Sequence, residues 1–160
     1  LIKTATDIDV VGRDNRTGHG LVNADAAKQY LDAGCNGPDG SGNGADLNSY
    51  TNSDAVAIPD NSASGVISEL DVVRAGDAGL VTIDLDVAHT YIGDLRITLT
   101  SPTGGQVVLH DNQGGSANDI NTTYQVDFSG FESQGVWELK AVDSARRDTG
   151  TINSWTLTFQ

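Results

Sequence analysis

The chain has 160 residues, of which 38% are hydrophobic, and nine Lys and Arg stand against 22 Asp and Glu, a formal net charge of −13. This hydrophobic content can fill one packed core, while the negative charge argues against a nucleic-acid partner because phosphates would be repelled. No apolar run approaches the roughly 18 residues needed to cross a bilayer, so no membrane partner is expected.

Residues 1–34 predict a short helix near their end. Asn23 is a suitable N-cap for the alanine-rich run that continues through Leu31, and Gly34 can end the helix in a left-handed conformation. We therefore expect one short helix in this segment.

Residues 35–54 predict a flexible linker. They are rich in Gly, Asn, Asp and Ser, and they offer few side chains to bury. Asp39, Asn43 and Asp46 resemble the ligands of a calcium loop, but the ordered spacing and terminal Glu of an EF-hand are missing. The linker interpretation is therefore favoured over a calcium loop.

From Ala55 onwards the hydrophobic period becomes two. Apolar and polar residues alternate along residues 81–87, 95–99 and 155–159, as expected of strands with one buried face. Further candidate strands are residues 66–73, 106–110, 124–128 and 136–142. Short strands separated by turn residues, with no helix between them, predict an all-β fold: an antiparallel β-sandwich of about eight strands.

Trp137 and Trp155 are the two tryptophans, and the alternation places both on the apolar side of their strands. An outward row of aromatic rings would instead suggest a sugar-binding surface. We expect both indoles in the core.

Three carboxylates, Asp94, Asp143 and Asp148, are the candidate metal ligands. They fall at predicted strand ends or in the next loop, and strand ends of a sandwich gather at one rim. Unpaired carboxylates there would repel one another, and a hard divalent cation with oxygen ligands would relieve the repulsion. Two alternatives remain open: ion pairs with Arg146 and Arg147, and simple turn or cap roles.

His89 and His110 have no spacing that indicates a zinc site. For His89 at the end of a strand, an imidazole hydrogen-bonded at a loop corner is favoured over a metal ligand. No Gly-x-Ser-x-Gly nucleophile elbow is present either.

Several separated motifs point to a family. They are HTYIGDLRITL at 89–99, SPTGG at 101–105, GVWEL at 135–139 and DTGTINSWTL at 148–157. Together they resemble the P domain, also called Homo B, which follows the catalytic domain in kexin-like and many bacterial subtilisin-family proteases. The resemblance covers roughly residues 55–160 and implies a jelly roll. Upstream, TGHGLVNA at 17–24 resembles the end of a subtilisin-family catalytic domain.

The resemblance implies a C-terminal fragment of a secreted, extracellular protease in three parts: a catalytic-domain tail (1–34), a linker (35–54) and a P domain (55–160). The parent would be a serine endopeptidase with a Ser–His–Asp triad. This fragment would be non-catalytic, because the family's Gly-Thr-Ser-Met-Ala-like nucleophile motif is absent and the chain has no Met.

Family resemblance also sets the expected role and partners. P domains support the folding, stability or substrate engagement of the protease, so the partner would be the parent's own catalytic domain and possibly a protein substrate. Calcium dependence is common in such proteases, which makes calcium the expected structural cofactor at Asp94, Asp143 and Asp148. The alternative function is a binding module that targets the protease to protein or polysaccharide.

Overall fold

The computed structural model describes residues 48–160 and the backbone of two short strands, β1 (Ala5–Thr6) and β2 (Leu21–Val22). These two strands pair in antiparallel fashion. The helix predicted after Asn23 lies outside the described residues, as do Asp39, Asn43 and Asp46 of the predicted linker.

The chain divides into two compact units, Leu1–Asp46 and Leu47–Gln160. The described part of the second unit is all-β and contains nine strands. They are β3 (Ser49–Asn52), β4 (Val56–Ile58), β5 (Val66–Val72), β6 (Asp77–His89), β7 (Leu95–Thr100), β8 (Gln106–Asp111), β9 (Ile120–Glu132), β10 (Gly135–Asp143) and β11 (Gly150–Phe159). Among these residues no helix is long and apolar enough to cross a membrane.

The nine strands form two antiparallel sheets. The four-stranded sheet has the order β5-β10-β7-β8, and the five-stranded sheet has the order β3-β11-β6-β9, with β4 also pairing with β11. All seven predicted strands are present, so the antiparallel sandwich is confirmed. The jelly-roll connectivity, which came from the family resemblance alone, stays a prediction.

Strand β6 shows how the sequence pattern builds the core. Its alternate side chains are buried, namely Val81, Ile83, Leu85 and Val87. The residues between them are polar and wholly or partly exposed. The four-stranded sheet supplies the opposing layer, which includes Leu95, Ile97, Leu99, Leu139 and Ala141. Each large apolar side chain buried between the sheets contributes about 1.5–3 kcal/mol.

Both tryptophans lie in this core, as predicted. Trp137 is 0% exposed, and its ring meets Phe128 and Phe159 edge-on at centroid distances of 5.0 and 5.7 Å. Its indole N–H donates to the Ser133 carbonyl at 2.8 Å. The Trp155 indole N–H donates to Ser68 Oγ at 2.9 Å. The polar atom of each ring is therefore satisfied without leaving the core.

Two strands, β3 and β4, were not predicted. β3 pairs with β11, with Tyr50 opposite Leu157, and the Tyr50 ring meets Phe159 at 5.9 Å. Its other residues are Ser, Thr and Asn, so the strand has no hydrophobic alternation to reveal it. The described sandwich thus includes residues before Ala55, and the division into residues 1–34, 35–54 and 55–160 stays a prediction.

Truncation of either tryptophan tests this description of the core. Trp137→Ala and Trp155→Ala should each lower the free energy of unfolding by about 3–5 kcal/mol, because each leaves a cavity and removes ring contacts. Val73→Ala, at a side chain that is 60% exposed, should change it by less than about 0.5 kcal/mol. Urea unfolding followed by circular dichroism gives the comparison, and a mild effect of Trp137→Ala would contradict the core assignment.

Candidate functional site

Four connections lie at one end of the sandwich, and together they form what we call the upper rim. They are residues 59–65, 90–94, 112–119 and 144–149, and each carries the chain from one sheet to the other. Backbone hydrogen bonds join them: Ile92 N–H donates to the Ala117 carbonyl at 3.0 Å, and Thr90 N–H to the Thr149 carbonyl at 3.3 Å. The three predicted metal-binding carboxylates all lie at this rim or directly beneath it.

His89 and Asp143 form a buried pair beneath the upper rim. Neither side chain is exposed, and His89 Nε2 lies 3.6 Å from Asp143 Oδ2. This distance is longer than a hydrogen bond, and neither atom has a hydrogen-bond partner among the described residues. The loss of one side chain would therefore leave the facing atom of the other buried without an ion-pair partner among the described residues.

The remaining polar atoms of the pair bind the rim backbone. Asp143 Oδ1 accepts a hydrogen bond from Ala145 N–H at 2.9 Å. His89 Nδ1 lies 3.0 Å from the Tyr91 carbonyl oxygen, and Asp119 Oδ1 accepts from the His89 N–H at 3.0 Å. The two side chains thus contact the starts of two rim connections, and the His89 backbone contacts the end of a third. The hydrogen-bonded loop-corner role predicted for His89 is the one observed.

Asp148 and Asp94 take different positions on the same rim. Asp148 Oδ1 accepts from Thr90 Oγ1 at 2.8 Å, and Thr90 Oγ1 in turn accepts from Thr149 N–H at 3.2 Å. Asp94 closes a single 3-10 turn, Ile92–Asp94. Its carbonyl accepts from both the backbone N–H and the Oγ of Ser144, at 3.0 and 2.9 Å. Asp148 and the Asp94 backbone therefore hold neighbouring connections together.

The placement of these side chains bears on the metal and ion-pair interpretations. In residues 48–160 no group of three His, Cys, Asp or Glu side chains is arranged to hold a metal ion. Neither Arg146 nor Arg147 forms an ion pair with another described residue; Arg147 N–H instead donates to Asp60 Oδ1 at 3.0 Å. The assignment of Asp94, Asp143 and Asp148 as metal ligands stays a prediction.

Two groups on β9 have shifted pKa values. Hydrogen bonds from the side chain and the backbone N–H of Ser129 lower the pKa of Asp127, and burial raises the pKa of Tyr124. A carboxyl whose pKa is lower in the folded state than in the unfolded state stabilises the fold at pH values above the unfolded-state pKa. This stabilisation is lost as the pH falls through the folded-state pKa. Asp127 is exposed, so its contribution to acid sensitivity is small.

The sequence did not indicate three residues that organise the rim. Asp60 and Ser144 each bridge two connections that are distant in sequence, and Asp119 joins the connection 112–119 to the end of β6. Asp and Ser are common in turns, so the sequence does not single these residues out. In the structure Asp119 has a positive φ of 59°, a conformation that Asn and Asp adopt more readily than most residues.

The buried pair makes a direct prediction. His89→Ala and Asp143→Ala should each cost about 3–5 kcal/mol of unfolding free energy, because each leaves a buried polar group without its partner. The double variant should cost less than the sum of the two, with a coupling of about 0.5–3 kcal/mol.

His110→Ala is the matched control. His110 Nε2 makes one contact, with the Ile92 carbonyl at 2.9 Å, so its loss should cost about 0.5–1.5 kcal/mol. Urea unfolding of the four variants measures all of these effects, and strict additivity of the His89 and Asp143 substitutions would show that the two side chains do not interact.

Comparison with known proteins identifies the family of this chain. The family model of the proprotein convertase P-domain matches residues 78–159. Leupeptin-inactivating enzyme 1 of Streptomyces exfoliatus is 41% identical over 113 residues, which cover 69% of this chain and 26% of that protein. The calcium-dependent protease of Trichormus variabilis is 40% identical over 87 residues, covering 48% of this chain and 13% of the relative.

A third relative aligns with almost the whole chain. The extracellular basic protease of Dichelobacter nodosus is 31% identical over 171 aligned residues, covering 99% of this chain and 27% of that protein. The chain therefore spans about a quarter or less of the length of these relatives. The crystal structure of a serine protease of Aeromonas sobria shares the fold, with a TM-score of 0.54 at 16% identity, covering 99% of this chain and 38% of that chain. Because the family model matches just over half of the chain and the architecture is the expected two-sheet sandwich, the chain belongs to the proprotein convertase P-domain family.

Proposed function

We propose that this chain is the non-catalytic P domain of a secreted, extracellular subtilisin-like serine endopeptidase, preceded by the tail of its catalytic domain. It supports the folding, stability or substrate engagement of that catalytic domain, which is its main partner. The subtilisin-like assignment rests on the motif at 17–24, and secretion is supported by the name of the Dichelobacter nodosus relative.

The His89–Asp143 pair is the observation that carries the non-catalytic role. A His and an Asp side by side resemble two members of a Ser–His–Asp triad. Both are fully buried, however, and among the described residues no serine hydroxyl is hydrogen-bonded to His89. A catalytic base must reach both its nucleophile and the substrate. The burial of the pair supports a structural role for it, in holding the rim loops, and so supports the proposed non-catalytic role.

Calcium at the upper rim is the second part of the proposal. Three carboxylates and several backbone carbonyls gather there, and a relative is named for its calcium dependence. The side chains as placed do not form a closed ligand set, because Asp143 faces His89 and Asp148 is bonded to Thr90. Calcium would therefore bind through rearranged rim oxygens, with Asp94, Asp143 and Asp148 as the proposed ligands.

The alternative, a module that targets the protease to protein or polysaccharide, predicted an exposed aromatic row. Trp137 and Trp155 are buried, and the exposed rings of Tyr91 and Phe131 lie at opposite ends of the sandwich. The described residues therefore offer no aromatic row, and binding of a polysaccharide would have to rest on polar contacts instead.

Hydrolysis assays test the non-catalytic role. The purified 160-residue chain should not cleave casein or a peptide ester, whereas the full-length parent should, with sensitivity to a serine-directed inhibitor. His89→Ala in the full-length protein should lower its melting temperature and leave kcat of the surviving folded enzyme unchanged. Inhibitor-sensitive hydrolysis by the 160-residue chain would overturn the proposal, and loss of parental activity to chelators alone would point to a different class of catalytic domain.

Melting experiments test calcium. If calcium binds the folded state at a hundredfold excess over Kd, it adds about 2.7 kcal/mol of stability, which should raise Tm by several degrees. Sodium chloride at matched ionic strength and magnesium should not reproduce the shift. Asp148→Asn should remove the shift, and Asp71→Asn on an exposed strand position should keep it. Identical melting curves in EDTA and in millimolar calcium would remove calcium from the proposal.

A further inference from the structure

A polar trough runs along β6 on the outer surface of the five-stranded sheet. It consists of two depressions, of about 260 Å³ next to the upper rim and about 100 Å³ further along the strand. Ala88 lines the first and Asp86 the second, and these are successive outward positions of β6. On β11 the corresponding lining residues are Thr151 and Ser154, which lie opposite Ala88 and Asp86. The two depressions are therefore neighbours along the same pair of strands, and we call them together the trough.

A β-bulge shapes this surface. The register between β11 and β6 shifts between Ile152 and Ser154, so that Asn153 is the extra residue. Bulges bend the strand locally and redirect its side chains. Here the Asn153 amide donates to Asp86 Oδ1 at 3.1 Å. The bulge thus fixes the orientation of a carboxylate inside the trough.

Three carboxylates in the trough are held in the same manner. Each has one oxygen bound to the protein: Asp86 to the Asn153 amide, Asp84 to the Thr123 hydroxyl and Asp119 to the His89 N–H. The second oxygen of each accepts no hydrogen bond from the described residues. These oxygens are positioned acceptors, and the hydroxyl and amide groups beside them, including those of Asn121, Ser154 and Thr156, can both donate and accept.

We propose that this trough binds a neutral glycan, a chain of uncharged sugar units. Sugar hydroxyls donate and accept hydrogen bonds, and so match a lining of positioned acceptors, hydroxyls and amides. The carboxylates repel phosphate, sulfate and uronate groups, which excludes polyanions. Because β6 is paired on both sides, by β11 and β9, it offers no free backbone edge to a peptide strand.

Two other occupants fit the trough less well. Metal binding is less well matched, because the three carboxylates are divided between two depressions and each already has one oxygen bound to the protein. A protein surface usually requires buried apolar contacts at its centre, and apart from the partly exposed Ala88 and the backbone of Leu85 the trough offers none. A cationic peptide remains as a competing outcome of the test. The inference does not depend on the proposed protease role.

Nuclear magnetic resonance titration of the ¹⁵N-labelled 160-residue chain tests the proposal. The probes are cellohexaose, hexa-N-acetylchitohexaose, maltohexaose and mannohexaose. At least one should shift the amide signals of Asp84, Asp86 and Ser154 at millimolar concentration, and the shifts should persist in high salt. Asp86→Ala and Asn121→Ala should weaken that binding about tenfold or more, with melting curves confirming that both variants fold.

Glu69→Ala is the matched control, since Glu69 is an exposed carboxylate on the outer face of the four-stranded sheet. It should leave Kd unchanged. Absence of shifts with all four hexasaccharides would overturn the proposal. The proposal would also fail if Glu69→Ala weakened glycan binding as much as Asp86→Ala does. It would fail as well if only an oligolysine peptide bound and this binding disappeared in high salt, because that result identifies a cationic ligand.

Discussion

Each upper-rim connection must carry the chain between two sheets about 10 Å apart, a separation set by the core side chains. Over that distance the backbone leaves the strand ladders, and its N–H and C=O groups need other partners. Neighbouring connections supply them, as when Asp94 C=O accepts two hydrogen bonds from Ser144. The buried His89–Asp143 pair ties the ends of β6 and β10 into the same network. The loop geometry of this P domain follows from that crossing requirement.

The alternation of apolar and polar residues predicts the strands of the sheets well, but it does not predict which side chains pair at the upper rim. Strands such as β6 and β7 alternate apolar and polar residues, so their buried faces follow from the sequence alone. β3 lacks this alternation and is held by pairing with β11, more than 100 residues away in sequence. Contacts between residues distant in sequence are equally hard to predict at the site. The sequence predicts Asp143 to be a carboxylate at a strand end, but its partner His89 lies 54 residues earlier, and no local pattern joins the two.

The two outer faces of the sandwich differ in chemistry. The four-stranded sheet exposes apolar side chains, with Ile67 and Val136 each 45% exposed, beside charged residues of both signs such as Lys140 and Glu138. The outer face of β6 in the five-stranded sheet presents Thr82, Asp84 and Asp86 between Leu80 and Ala88, and the bulge in its neighbour β11 lies beside the trough. The hydroxyls and carboxylates of the trough can donate and accept hydrogen bonds, which suits a hydrated ligand. The two outer faces therefore offer different chemistry to a binding partner.

The first and last residues of the described sandwich lie side by side at the end opposite the upper rim. Phe159 N–H donates to the Asn48 carbonyl at 2.8 Å, and Gln160 N–H donates to the Leu80 carbonyl at 3.1 Å. Neighbouring termini permit a domain to be inserted or permuted with little distortion. Insertion of the sandwich into another chain, or its circular permutation, would therefore alter the end opposite the upper rim and leave the rim connections in place.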